Sequence, residues 1–116
     1  GESNAKRNPN KYHCLLRALM RYWQSHWETP WADSLPIGIV QLSAYSTRST
    51  IPALRWSQFR AVTETPRSFL ALSLDWPDLI NPCGDIHPRT KLEVAARLAE
   101  GADYVTRQPA GAYFVS

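Results

Sequence analysis

Two short stretches constrain the fold of this chain more than anything else in it. Pro36-Ile37-Gly38-Ile39-Val40-Gln41-Leu42-Ser43 and Ser68-Phe69-Leu70-Ala71-Leu72-Ser73-Leu74 are nearly continuous apolar runs, the first rich in β-branched residues. Strands covered on both faces read this way, and such strands belong to parallel sheets flanked by helices. Between them, a polar stretch from Tyr45 to Thr50 leads into Ile51-Pro52. Pro52 suits the first turn of a helix, which Ala53 to about Val62 can continue. Upstream, Tyr12, Leu15, Leu16, Leu19, Met20, Trp23 and Trp27 recur at helical spacing, with Arg17, Arg21, Gln24 and Glu28 facing away until Thr29-Pro30 ends the helix. Downstream, Asp75-Trp76-Pro77 and Asn81-Pro82-Cys83-Gly84 form an irregular loop. A last helix is expected from about Pro88, with Leu92, Ala95, Ala96, Leu98 and Ala99 as its buried stripe and Gly101 as its stop. Ala112 to Val115 is a candidate short strand. The order is α/β with parallel strands. Two strands do not make a stable sheet with both faces covered, so other polypeptide is expected to pair with their edges.

Composition narrows the class. The 116 residues suffice for one small domain, and 44% hydrophobic with 20% charged residues is ordinary for a globular protein. The first ten residues are polar and read as a loop around Asn8-Pro9-Asn10, with no basic-then-apolar leader. No apolar run reaches the roughly 20 residues of a membrane span. Thirteen Lys and Arg against ten Asp and Glu give a net charge of +3. The basic residues are scattered singly and lack interleaved aromatics, which argues against a nucleic-acid partner. Five tryptophans, Trp23, Trp27, Trp31, Trp56 and Trp76, can either line a sugar site or fill a core; the core reading fits Trp23 and Trp27 better.

The stretch richest in chemistry is Gly84-Asp85-Ile86-His87-Pro88-Arg89-Thr90-Lys91. It follows a buried strand and opens a helix, and sites in open α/β sheets form at the carboxyl ends of strands. His87, with Asp85 two residues earlier, has the make-up of a general base held in one tautomer by a carboxylate. Such an imidazole can take a proton from a serine hydroxyl and return it to the leaving alcohol. Asp85 as a plain helix cap beside a surface histidine fits the same spacing. His13, Cys14, His26, Cys83 and His87 are ligand-type residues, but no CxxC or HExxH spacing joins them, and His13 and Cys14 are adjacent on a helix. A zinc site is not expected.

The block from Gly84 to Lys91, with Val94 and Arg97-Leu98-Ala99, closely resembles the final motif of the sialate O-acetylesterase family, within the SGNH hydrolase superfamily. Gly1-Glu2-Ser3-Asn4-Ala5 resembles the end of that family's Trp-Tyr-Gln-Gly-Glu-Ser-Asn signature. Tyr12-His13-Cys14 with Ala18-Leu19 and Trp23 resembles the helix that follows it. Pro36 to Ser43 resembles its Gly-hydrophobic-Val-Gln-Leu strand, and Leu54-Arg55-Trp56-Ser57-Gln58 its Arg-Trp-x-Gln segment. The resemblance covers residues 1 to about 100. It implies the C-terminal portion of a flavodoxin-like, three-layer α/β/α fold, and hydrolysis of O-acetyl esters of sialic acids without metal or organic cofactor. It implies His87 as general base, Asp85 as the orienting acid, and Gly1 and Glu2 in the neighbourhood of the oxyanion site.

The superfamily usually places its acid three residues before the histidine, where this chain has Gly84, so Asp75 and Asp78 stand as alternatives to Asp85. The family's nucleophilic serine lies in a motif well before the signature that opens this chain. Ser3 lies in the wrong motif, and Ser43, Ser46 and Ser73 have no nucleophile-elbow surroundings. Residues 1–116 are therefore expected to be the histidine-bearing part of one esterase domain, inactive alone, with the nucleophile-bearing half as its partner. The other reading is a catalytically dead binding or structural module that kept the fold. The family setting is secreted or lysosomal. A Cys14–Cys83 disulfide would suit it, and two separate thiols remain the alternative.

Overall fold

The computed structural model describes residue 3 and residues 7–27, 35–44, 50–84, 87–108 and 113–115. Its elements are α1 (Tyr12–His26), β1 (Ile37–Val40), α2 (Ile51–Thr63), β2 (Ser68–Ala71), α3 (Leu92–Arg107) and β3 (Tyr113–Val115). The strands form one parallel sheet in the order β1-β2-β3 among the described residues. Ile37 to Val40 lie opposite Ser68 to Ala71, and Phe69 to Ala71 opposite Tyr113 to Val115. The backbone of the candidate third strand is thus extended at Tyr113–Val115, while Ala112 lies outside the described residues.

Alternation of side chains along a strand decides which helix covers which face. Ile37 and Leu70 pack with Leu16 and Met20 of α1 and Ala61 and Val62 of α2, with Ile39 and Leu72 alongside. The intervening residues turn the other way, and there Phe69 meets α3 at Gly101, while Leu98 reaches Gly38. Helices therefore cover both faces. All four residues of β2 are buried, as its nearly continuous apolar run predicts. β1 behaves differently: Gly38 is exposed and Val40 is 39% exposed, so this strand is not covered on both faces. It is an edge strand, and nothing among the described residues pairs with its outer side as a strand.

That edge is nevertheless partly closed by side chains of α2. Gln58 donates from Nε2 to the Val40 carbonyl (3.2 Å) and accepts through Oε1 from the Leu42 amide (3.1 Å). Arg55 donates from Nε to the Leu42 carbonyl (2.8 Å) and from its guanidinium to the Ser43 carbonyl. Residues three apart on a helix share a face, so one face of α2 grips the run from Val40 to Ser43. Partial burial lowers the Arg55 pKa from its ordinary value.

The two amphipathic helices depart from the sequence reading, α1 in the width of its buried stripe and α3 in its phase. On α1 the covered residues are His13, Leu16 and Met20, with Tyr12 and Trp23 packed alongside, whereas Leu15, Leu19 and Trp27 are exposed. The expected stripe was wider than the arc that α2 and the sheet can cover. Gln24, expected to face solvent, instead donates to the Leu35 and Pro66 carbonyls and ties two connections together. The end of α1 at His26 precedes Thr29-Pro30, which lie outside the described residues.

On α3 the buried positions are Val94, Gly101 and Val105, with Leu98 half-buried, and Leu92 is 75% exposed. Alanines at 95, 96 and 99 carry too little apolar area to set the helix phase. Gly101 does not stop the helix, which runs on to Arg107. Its role is close approach: a Cβ there would lie 2.6 and 2.8 Å from the Phe69 ring carbons Cε2 and Cγ, and nearer still to Cδ2. Gly38 meets the same ring from β1, where a Cβ would lie 2.5 Å from Cζ. The helix also starts at Leu92 and not near Pro88, because Pro88 to Lys91 belong to the connection from β2. That connection, residues 72–91, is long for an α/β unit, where about 2–6 residues is usual. Long connections of this kind are commonly functional.

Candidate functional site

The 72–91 connection, the end of β1 and α3 border a half-open cavity of about 390 Å3. Val40, Gln41, Leu42 and Ser43 line it from β1 and the residues following it, and Ser73 from just beyond β2. Pro88, Lys91, Val94, Ala95 and Leu98 close the other side. The walls are mostly apolar. Pro88 is buried in this wall, and His87, which precedes it in the chain, is exposed.

The loop around His87 is held by its own polar groups. The Gly84 amide donates to the Asn81 carbonyl and the His87 amide to the Gly84 carbonyl, each at 3.0 Å. Asn81 accepts from the Cys83 amide through Oδ1 (2.8 Å) and donates from Nδ2 to the His87 carbonyl. Gly84 has φ of +100°, a left-handed conformation that glycine adopts without steric cost. A sequence of Asn-Pro-x-Gly signals such turns, but not which carbonyl the asparagine will reach.

Two carboxylates anchor this connection. Asp75 receives both guanidinium nitrogens of Arg97 (2.7 and 2.5 Å), and Arg97 also donates to the Leu72 carbonyl (2.7 Å). Asp78 receives Arg89 Nε (2.6 Å), a second guanidinium nitrogen (3.0 Å) and the Arg89 amide (3.2 Å). The hydrogen bonds from Arg97 and Arg89 hold the two carboxyls below the usual aspartate range. Both alternatives to Asp85 are thus engaged by arginines. Reading the sequence missed these pairs because each joins residues far apart in the chain.

Asp85, Gly1 and Glu2 lie outside the described residues. Cys14 and Cys83 are free thiols, both exposed. Cys14 Sγ lies 3.7 Å from His13 Nδ1, closer than their adjacency on a helix suggests. His13 Nε2 is 2.8 Å from Glu64, which also receives Arg17 and Arg60. Of the serines following the strands, Ser73 donates to the Gln41 carbonyl (2.6 Å), and the Ser43 hydroxyl is buried without a partner. Among the described residues no three His, Cys, Asp or Glu side chains gather where a metal could bind, and no helix is long and apolar enough to cross a membrane.

The pocket lies at the carboxyl ends of parallel strands, which is where ligands bind in open α/β sheets. Sequence comparison shows what the chain is similar to. Over 115 residues the chain is 36% identical to sialate O-acetylesterases of Rattus norvegicus and Mus musculus and 33% identical to that of Homo sapiens. The matches cover 88% of this chain, which is a homologue of the sialate O-acetylesterases. The chain spans about a fifth of the length of these curated relatives, 21 to 22%. No family model matches it.

Proposed function

We propose that this chain is the histidine-bearing part of a carbohydrate O-acetylesterase, which in the whole protein hydrolyses O-acetyl esters of sialic acids. The observation that carries this reading is the similarity to sialate O-acetylesterases over 88% of the chain. The pocket at the sheet's carboxyl edge, with Pro88 in its wall next to His87 in the chain, supports it, because that is where such a domain would need its base. The domain is then a three-layer, flavodoxin-like SGNH hydrolase fold, and residues 1–116 are its C-terminal part.

In this mechanism a serine on the nucleophile-bearing half attacks the acetyl carbonyl. His87 takes the serine proton, then gives it to the departing sugar hydroxyl, leaving an acetyl-enzyme. Water attacks that acyl group with His87 again as base, releasing acetate and the free serine. Asp85 orients the ring, and the segment at Gly1 and Glu2 borders the oxyanion donors that hold the tetrahedral intermediate. No metal or organic cofactor enters. An exposed imidazole suits this division of labour, since its hydroxyl partner comes from outside the chain. The apolar cavity walls suit an acyl methyl and a sugar face. The open part of the β1 edge, beside Gly38, suits pairing with the other half of the sheet. A secreted or lysosomal location follows from the family.

The test is His87→Ala in the intact protein. Hydrolysis of an O-acetyl ester is expected to fall by about 10^2 to 10^4, the usual contribution of a general base. Unchanged turnover removes the assignment. An intact wild-type protein that binds acetylated sugar without cleaving it identifies a binding module instead.

A further inference from the structure

The loop that carries His87 is closed at its neck. Asp78 and Arg89 join through three hydrogen bonds, two from the guanidinium and one from the Arg89 amide. Segments whose ends meet in this way form compact surface loops. Between Arg89 and His87 stands only Pro88, which is buried in the cavity wall. Proline locks its own φ and restricts the residue before it. Where Arg89 goes, the backbone of His87 must follow. Asn81 fastens the other side through the His87 carbonyl.

On the reading of His87 as general base, we infer that Asp78 and Arg89 are positioning residues, forming a clamp that sets how far the imidazole reaches toward the nucleophile. The arginine is required as such. A planar guanidinium can engage both carboxylate oxygens at once, whereas a lysine makes a single point contact. The Arg89 side chain is 59% exposed, so its bonds to Asp78, and not packing, hold it. The neighbouring pair of Asp75 with Arg97 anchors the start of the same connection to α3 and lies farther along the chain from the histidine.

Rate is the sensitive property, because a base must lie within about 3 Å of the proton it takes. A displacement of about 1 Å costs on the order of 100-fold. The experiment uses the intact protein carrying Asp78→Asn, Arg89→Ala, Arg89→Lys, or the exchange Asp78→Arg with Arg89→Asp. Each is assayed on a small aryl acetate and on an O-acetylated sialic acid, with His87→Ala as reference. Expected are drops of about 100-fold in kcat for Asp78→Asn and Arg89→Ala and about 10-fold for Arg89→Lys. KM should be unchanged, both substrates should suffer alike, and the exchange should recover at least about 10-fold over Arg89→Ala. Arg89→Lys keeps charge and length, so it tests the clamp even if Arg89→Ala does not fold.

Single variants with normal kcat, alongside an inactive His87→Ala, overturn the clamp and leave the esterase reading standing. A loss confined to KM, or to the carboxylated sugar, makes Arg89 a substrate ligand and also overturns it. Full activity in His87→Ala removes both readings together.

Discussion

Replacing Gly101 by alanine is expected to destabilise the protein, against the usual trend for helix interiors. A glycine in the middle of a helix costs about 1 kcal/mol relative to alanine, so the substitution would ordinarily stabilise α3 by that amount. Here the new Cβ would meet Phe69 ring carbons at 2.6 and 2.8 Å, with one still nearer. The ring cannot retreat, because Gly38 of β1 stands against its other end and the ring itself is buried. Relief requires α3 to lift from the sheet. Overpacking of this kind costs about 1–3 kcal/mol, and lifting the helix would also loosen Val94 and Val105, so the high end applies. The net loss is about 1–2 kcal/mol. That lowers the melting midpoint by several degrees, at about 4–8 °C per kcal/mol in small domains. Thermal melts of the variant and of Gly101→Ala combined with Phe69→Leu make the measurement. The two substitutions should be coupled by about 0.5–3 kcal/mol, the smaller residue at 69 making room for the methyl. A higher midpoint for Gly101→Ala alone refutes the close-approach argument.

Other substitutions test other joints. Gln58→Leu leaves the Val40 carbonyl and Leu42 amide without their partner, and should cost about 1–3 kcal/mol in a denaturant titration. Arg55→Ala should cost a similar amount, since it removes charged hydrogen bonds to the carbonyls of Leu42 and Ser43. Glu64 sits below its ordinary value of 4.5, chiefly through its hydrogen bond to His13. Its stabilising contribution is therefore full above that value and is lost as pH falls through the lowered one. Glu64→Gln should flatten the acid side of the stability–pH curve. A curve that keeps its slope there contradicts the ion-pair account.

The elements themselves were legible because their signals are local. A nearly continuous apolar run marks β2, a proline marks the start of α2, and helical spacing marks α1. Phase and limits were less legible because they depend on what lies opposite. Gly101 has the residue type of a helix stop, and only Phe69, distant in sequence, shows that it serves packing instead. β1 has the composition of a covered strand, yet its exposure follows from its place at the sheet edge, which no local pattern encodes. At the site, order along the chain put His87 in the connection between β2 and α3. The arginines that engage Asp75 and Asp78 were hidden because a lone charged residue carries no address for its partner. Arg55 and Gln58 stood out only as part of a resemblance, and their grip on the strand end is visible in three dimensions alone.

That grip has a consequence for how this sheet can grow. An incoming strand docks rung by rung, and along β1 the upper rungs at Val40 and Leu42 are already taken by an amide and a guanidinium. Only the lower part, beside Gly38, stays open. A second molecule seeking a full-length zipper along this border would stall halfway, which guards against endless stacking of sheet upon sheet. A short strand that ends level with Val40 fits the opening and leaves the rim above it clear.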